Sequence, residues 1–422
     1  RTDRLRHQPP GSHRAAAEKD VECTCESDFD DCDGNLDNGC EIDLSNDAKN
    51  CGACGNACAQ GIACVDGECE QKVVGLRAGL ETTCALMTPA QGSLDGDVMC
   101  WGRNGYGKNS AMLLGNAQIV DELKVRPVTA DAQARDYSIG LVGACALSDT
   151  IGCWSDNTGA SDWVVNGASQ LAVGMQFGCL VAKEKPYCWG QLRTRSNTYV
   201  INASTPVVAD FLTFPVAEIQ TAAYAACARG VNGTVYCFGA AYPDPVPVRT
   251  SAIANLYATS VVMGVWQAPS TSLETLACAL TASGAVSCWR PTGGAIVGVT
   301  AGAPTDAVTS IQATPVSVPA NIVQIAVGGA HLCMRQASGQ VYCMGNGAAD
   351  GALGFASTAF NVNTPTPVTG LNDAVDIVAN GVHTCARRRN GQVVCWGRNA
   401  MGEVGDGTQT MRSTPTPVIG LW

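Results

Sequence analysis

The sequence predicts an all-β fold, a seven-bladed β-propeller closed by its C-terminal segment and preceded by a small disulfide-rich module. Three observations carry this. Seven cysteine pairs recur along the chain: Cys84 with Cys100, Cys145 with Cys153, Cys179 with Cys188, Cys227 with Cys237, Cys278 with Cys288, Cys333 with Cys343 and Cys385 with Cys395. Their step of about fifty residues is the length of one small sheet per repeat. Each pair brackets two alternating runs joined by a Gly-containing turn, as in LACALTASGAVSCW (Leu276–Trp289) and HLCMRQASGQVYCMG (His331–Gly345), which is the pattern of a β-hairpin. The two Cys of a hairpin then face each other across antiparallel strands, and the close approach of a non-hydrogen-bonded pair suits a disulfide.

Each bond closes a loop of about ten residues and contributes roughly 2–3 kcal/mol in the chain-entropy model. The residue after the second Cys is large and apolar in every repeat: Trp101, Trp154, Trp189, Phe238, Trp289, Met344 and Trp396. This position is expected to pack between neighbouring sheets. Pro-Val segments, at Asp244–Val248, Thr314–Val318 and Thr364–Val368, precede the next repeat. None precedes Cys84, where the chain enters at Lys72–Leu76, and one more stands at the C-terminus, Thr414–Leu421. The tail is therefore expected to complete the first blade and to remove the open edges of an unclosed stack.

The pattern G-x-x-H-x-C-A, G-x-V-x-C-W-G-x-N, G-D-G-T, T-P-x-P-V, clearest in Thr364–Asn399 and its continuation, resembles the regulator of chromosome condensation repeat in its secreted bacterial form, with Cys pairs in the hairpin. The resemblance spans Gln71–Trp422 and weakens in repeats two to five, where Ser155 and Arg290 replace the usual Gly and Ser161–Ala168 replaces the Pro-Val segment. It implies a propeller. Its relatives include nucleotide-exchange factors, a plant ultraviolet receptor and secreted β-lactamase inhibitors, and none of their working residues map onto this chain.

Charge divides the chain into three parts: an arm, 1–20, of net +2; a module, 21–70, of net −12; and the propeller, 71–422, of net −1. A near-neutral propeller without a basic patch excludes a nucleic-acid binder. No apolar run approaches a membrane span. With 23 Cys, the chain is expected to mature where thiols oxidise, outside the cell or at its surface. A first residue of Arg fits a signal peptide already removed.

The acidic module holds nine Cys, and Asp31–Cys58 resembles Cys-rich modules of myxobacterial surface proteins. Disulfides must hold a unit this small. Asp31, Asp33, Asn35 and Asp37 alternate beside Gly34, a hard-oxygen arrangement suited to calcium; the alternative is a solvated acidic turn. Nine is odd, so one thiol is free or bonded to another chain, and Cys23 and Cys25, beside the arm, are the candidates. The arm has no apolar periodicity and should be disordered alone, so a neighbouring subunit is the simplest thing to order it.

Catalytic signals are sparse. His331 and His383 share one register before their Cys, which marks a repeat position rather than a site. No nucleophile elbow, phosphate loop or metalloprotease motif is present, and Asn202-Ala-Ser204 and Asn232-Gly-Thr234 are formal glycosylation sequons. No catalytic residue and no cofactor other than calcium is expected. The sequence thus reads as a structural or adhesive cell-surface protein that binds proteins and self-associates through its arm. The alternative is a soluble inhibitor or lectin-like module using one propeller face, where the insertion Ser251–Leu276, with Tyr257, Met263 and Trp266, would form the contact.

Overall fold

The computed structural model describes residues 25, 28–35, 39–55, 57–58, 63–69, 72–89, 95–104, 122–127, 133–140, 143–155, 163–193, 199–239, 248–249, 257–267, 273–290, 294–296, 299–301, 313–347, 349–357, 359 and 361–421. The chain divides into two compact units, 1–72 with 87–96 and 422, and 73–86 with 97–421. Residues 1–20 lie outside the described residues.

The larger unit is built of antiparallel sheets in chain order. Blade 1 runs Val73–Ala78, Thr82–Met87, Gly96–Gly102, Glu122–Pro127, and blade 2 runs Asp136–Ile139, Gly143–Leu147, Ile151–Ser155. Blade 3 comprises Ala168–Val173, Phe177–Ala182, Lys185–Arg193 and Tyr199–Val208, and blade 4 comprises Val216–Ala222, Ala225–Gly230, Val235–Gly239 and Val248–Arg249. Blade 5 holds Ala258–Gln267, Leu273–Thr281, Val286–Trp289 and Thr314–Val316. Blade 6 holds Ile322–Val327, His331–Gln336, Val341–Asn346 and Asn361–Pro367, and blade 7 Ala374–Asn380, His383–Arg388, Val393–Gly397 and Arg412–Pro417. The first strand of each blade touches the first strand of the next, and that of blade 7 touches that of blade 1, so these seven inner strands surround the axis of a closed ring.

The two cysteines of each hairpin stand directly opposite each other on neighbouring strands. In blades 1 to 3 Cys84 faces Cys100, Cys145 faces Cys153 and Cys179 faces Cys188. In blades 4 to 7 Cys227 faces Cys237, Cys278 faces Cys288, Cys333 faces Cys343 and Cys385 faces Cys395. All seven pairs are disulfides with Cα atoms 4.0–4.1 Å apart, the close spacing of a non-hydrogen-bonded pair. Trp101, Trp189, Trp289 and Trp396 are fully buried, with Phe238 and Met344 nearly so. They fill the layers between blades, where burying an aromatic ring is worth about 2–3 kcal/mol. The Trp154 side chain lies outside the described residues.

One expectation is corrected. The C-terminal strand Arg412–Pro417 pairs with Val393–Gly397, with Cys395 opposite Thr416, and so completes blade 7 rather than blade 1. Asn361–Pro367 likewise pairs within blade 6. Each Pro-Val segment ends its own blade, because an outer strand leaves one edge unpaired and tolerates Pro, which has no N–H to give. The C-terminal segment does close the ring, but as a whole blade packed against blade 1 with no strand shared. In blade 2 the residues replacing the Pro-Val segment give a single bridge, Trp163 to Ile151.

In the smaller unit, Phe29–Asp30 pairs with Ile42–Asp43 and Cys64–Val65 with Glu68–Cys69. Disulfides Cys25–Cys40, Cys32–Cys54 and Cys51–Cys64 stand in place of a core, and Cys58 is also disulfide-bonded. Short Asx-type bonds shape its turns: Asp43 Oδ1 accepts the Ser45 N–H at 3.0 Å and Asp47 Oδ1 accepts that of Lys49 at 2.7 Å.

Candidate functional site

An inner strand has one edge without ladder partners, and its polar groups need others. In blades 3 to 7 a bulge in that strand sets a polar side chain at Gln170, Glu218, Ser260, Gln324 and Asp376, and Asp136 stands at the same place in blade 2. Most of these reach the next blade. Asp136 Oδ2 accepts the Leu171 N–H at 2.8 Å and Gln170 Oε1 that of Ile219 at 2.9 Å. Glu218 Oε2 accepts from Val261 and Gln324 Oε1 from Ile377, both at 3.3 Å. Arg229, from the second strand, pairs with Glu218 at 2.8 Å, and Arg335 Nε donates to Gln324 at 2.9 Å. Gln324 Nε2 also donates to Asp376 Oδ1 at 2.6 Å.

In blade 1 Gly75 occupies the equivalent place, and Arg77 pairs with Asp136 at 2.9 Å. The Arg77 side chain is 49% exposed, and its guanidinium also donates to Leu76 O at 3.0 Å. Burial raises the Asp136 carboxyl above its ordinary range, against the opposing pull of Arg77 and the Leu171 N–H. The whole arrangement staples blade to blade. Sequence reading missed it, although the signal is visible as one polar residue inside the apolar strands AVD-I, IVQ-I and VAE-I.

The two repeat histidines staple as well. His331 Nε2 lies 2.9 Å from Thr384 Oγ1 in blade 7, and His383 Nε2 lies 2.8 Å from Thr83 Oγ1 in blade 1. All four residues are fully buried. Burial lowers the His331 imidazole to about 4 and the His383 imidazole to about 3, the latter helped by the field of His331. Closed off from solvent, these Thr–His pairs present no nucleophile to a substrate.

At the junction of blades 7 and 1, Asn380 Nδ2 donates to Ala78 O at 3.1 Å and Trp101 Nε1 to Glu403 O at 2.9 Å. The same motif joins blades 6 and 7, where Trp396 Nε1 donates to Ala352 O at 2.9 Å. The G-D-G-T turn is structural: Asp406 Oδ1 accepts from the Thr408 N–H at 3.0 Å and its Oδ2 from Arg412 Nε at 2.6 Å. Burial pushes the Asp406 carboxyl up, but the Thr408 and Arg412 hydrogen bonds outweigh it and hold the group below its ordinary range.

Blade 5 departs from its neighbours. Its first two strands, Ala258–Gln267 and Leu273–Thr281, have 10 and 9 residues, against 6 each in Ile322–Val327 and His331–Gln336. The extension reaches toward blade 7, where the Val265 N–H donates to Asn380 Oδ1 at 3.0 Å. A second hairpin, Gly294–Ile296 with Val299–Ala301, interrupts the connection to the outer strand of blade 5. Both additions stand at the same end of the blade, because a first-to-second turn and a third-to-outer loop share one face in an antiparallel sheet. Of the residues named from sequence, Tyr257 is exposed, Met263 is buried, and the Trp266 side chain lies outside the described residues.

In the smaller unit Asp31 and Asp33 approach Glu41, with one carboxylate oxygen from each within 4.8 Å of the others. Glu41 was not foreseen; folding brings it back beside Asp31 through the pairing of Phe29–Asp30 with Ile42–Asp43. Asp31 Oδ1 already accepts the Gly34 and Asn35 N–H groups, at 2.8 and 3.1 Å, while Glu41 Oε2 is enclosed without a partner. Asn35 is exposed, and Asp37 lies outside the described residues. A correction concerns the thiols: Cys25 is bonded to Cys40, because the turn it opens brings the two Cα atoms to 5.7 Å. Of the two intermolecular candidates this leaves Cys23, outside the described residues.

Residues 374–403 match the regulator of chromosome condensation (RCC1) repeat. They cover the inner strand, the Cys hairpin and the start of the long loop of blade 7. Among solved structures the chain is similar to human WBSCR16, at 15% identity over 83% of each chain with a TM-score of 0.49. It is also similar to Prp20p from Saccharomyces cerevisiae, a protein described for its binding to Gsp1p and histones, at 15% identity over 82% of this chain and 76% of that one with a TM-score of 0.48. A third likeness is to the ectodomain of the receptor kinase CR4 from Physcomitrella patens, at 16% identity over 78% of this chain and 74% of that one with a TM-score of 0.43. At these identities no working residue is carried across.

Proposed function

We propose that this chain is an extracellular protein that works by binding other proteins, and that it presents them the elaborated end of blade 5. The observation that carries the reading is the pair of additions on that one blade, a lengthened first hairpin and a second hairpin before its outer strand. Rigid scaffolds with one elaborated loop set are the usual design of recognition proteins. Ten disulfides among the described residues support an oxidising compartment. The match to an RCC1 repeat and the resemblance of the small module to secreted surface proteins agree with the reading.

Within this reading the chain is a structural or adhesive cell-surface subunit that self-associates through residues 1–20 and Cys23, with calcium held at Asp31, Asp33 and Glu41. An arm seated on a neighbour's ring is a heterologous contact, which propagates unless it closes. Sedimentation of the non-reduced chain tests this: the full chain should form large species that vanish on deletion of 1–20 and on Cys23→Ser. The soluble inhibitor or lectin-like module remains the alternative, and a monomer in all three samples would favour it. Replacing 266–274 with a two-residue turn tests the surface itself, since partner binding should fall with the ring intact.

A further inference from the structure

We propose that the junction between blade 7 and blade 1 is an acid-operated latch, opened by protonation of His383 before any other junction of the ring yields. Successive blades are joined by the chain at every other junction. Here, among the described residues, no disulfide crosses and no strand is shared, and the polar contacts that close the junction are those of Asn380 with Ala78, Trp101 with Glu403, His383 with Thr83 and Arg398 with Glu81.

The equivalent pair one blade earlier shows how such a ring is held. Thr384 Oγ1 donates its proton to Ala352 O at 3.1 Å, so it receives one from His331 Nε2. The His331 imidazole is therefore the Nε2–H tautomer, and its Nδ1 keeps the lone pair. Nδ1 of His331 and of His383 are both buried without a hydrogen-bond partner. A charged imidazole bears an N–H on both nitrogens, and whichever nitrogen carries the first proton, the Nδ1–H of the charged ring finds neither acceptor nor solvent, so that ring is stable only where the junction has opened. The strands packed around His383 carry Arg387 and Arg388 on its own strand, Asp376 on the neighbouring strand of blade 7 and Arg77 on the inner strand of blade 1, while Glu81, Arg103, Arg398 and Glu403 flank the junction and His331 stands in blade 6. Glu81 pairs with Arg103, and Arg398 stands 4.0 Å from Glu81, so that carboxylate is already engaged by cations. Burial raises the Glu403 carboxyl above its ordinary range, against the pull of its backbone hydrogen bonds.

The junction of blades 6 and 7 resists longer. There Gln324 grips Ile377 through both its N–H, at 3.3 Å, and its carbonyl, at 3.1 Å, and the chain itself runs across.

Hydrogen exchange of the full, disulfide-intact chain across a pH series, corrected for intrinsic rates, tests the latch. Protection of Val73–Ala78 and Ala374–Asn380 should fall first, by about tenfold per pH unit below 6.5, while Gln170–Val173 and Ile219–Ala222 stay protected. In His383→Gln the amide keeps the bond to Thr83 and does not titrate, so these two strands should hold their protection at least one pH unit lower. Should that variant fail to fold, Thr83→Val, which strips the His383 Nε2 of its hydrogen-bond partner, should expose the same two strands already at neutral pH. Loss of protection in all seven inner strands together, or a His383→Gln variant that opens at the wild-type pH, would overturn the proposal. So would a Thr83→Val chain with neutral-pH protection equal to wild type.

Discussion

His383 and Thr83 stand 300 residues apart in sequence, and their side chains meet at 2.8 Å, fully buried, where the last blade meets the first. Truncating His383 to Ala removes this bond and leaves a cavity beside Gly397, its cross-strand partner. A loss of roughly 3 kcal/mol is expected, combining one buried hydrogen bond with a cavity term. Thermal unfolding of the non-reduced chain measures it, and a melting point equal to wild type would count against a stapling role.

The same residues set the acid limit of stability. Unfolded, both imidazoles titrate near 6.5; in the ring burial holds His331 at about 4 and His383 at about 3. Between those limits the unfolded chain binds more protons, so stability should be flat above pH 7 and fall as pH drops from 6.5 toward 4. Asp136 and Glu403, whose carboxyls burial raises, act with the opposite sign and soften the fall at its acid end. Denaturant titrations at pH 7 and pH 5 should show the drop in wild type and lose most of it in the His331→Gln, His383→Gln double variant.

Asp136 is the joint of blades 1, 2 and 3, since it binds Arg77 from one and the Leu171 N–H of another. Asp136→Ala leaves that N–H buried without an acceptor and should cost about 2 kcal/mol. Asp136→Asn retains an oxygen acceptor and should cost less; equal losses in a chemical-denaturation series would place the effect in the Arg77 pair instead.

The propeller was legible in the sequence because its Cys hairpins and apolar strands repeat with a period the chain cannot hide. Even where the repeat is degraded, the hairpin pairing held: Cys153, Cys188, Cys237 and Cys288 each bond the Cys across the turn, as Cys343 and Cys395 do in the well-kept repeats. The strand that ends each blade was misassigned because a Pro-Val run fits the close of one blade or the start of the next, and only its pairing, Cys395 opposite Thr416, decides. The axial ring was not legible. A polar residue such as Gln324 reads as a surface position until the bulge before it turns it toward Ile377 of the next blade. Glu41 was missed because its neighbours Asp31 and Asp33 are ten and eight residues away in sequence and join it only through a hairpin.

Gly405 lies at φ +72° in the long loop of blade 7, and a Cβ there would sit 2.9 Å from the Trp101 ring of blade 1. Both the left-handed backbone and the close approach demand Gly. Gly405→Ala should therefore lower stability by about 1–2 kcal/mol, read as an earlier unfolding of the Trp101 fluorescence. Gly370→Ala, also at positive φ but with open space around it, should cost less.

If calcium sits among Asp31, Asp33 and Glu41, the ion binds the folded unit alone and should raise its melting temperature. An ion at a hundred times its dissociation constant contributes about 2.7 kcal/mol. Calorimetry of the full chain in calcium and in chelator should show that shift, and Glu41→Gln should abolish it.

The most direct test of the account is binding of the labelled chain to the cells that produce it. Wild type should bind saturably, lose binding when the cells are first treated with protease, and lose at least tenfold in affinity when 266–274 is replaced by a two-residue turn with the disulfide map unchanged. Binding that survives both treatments, or no binding at all, would contradict a protein-binding surface on blade 5.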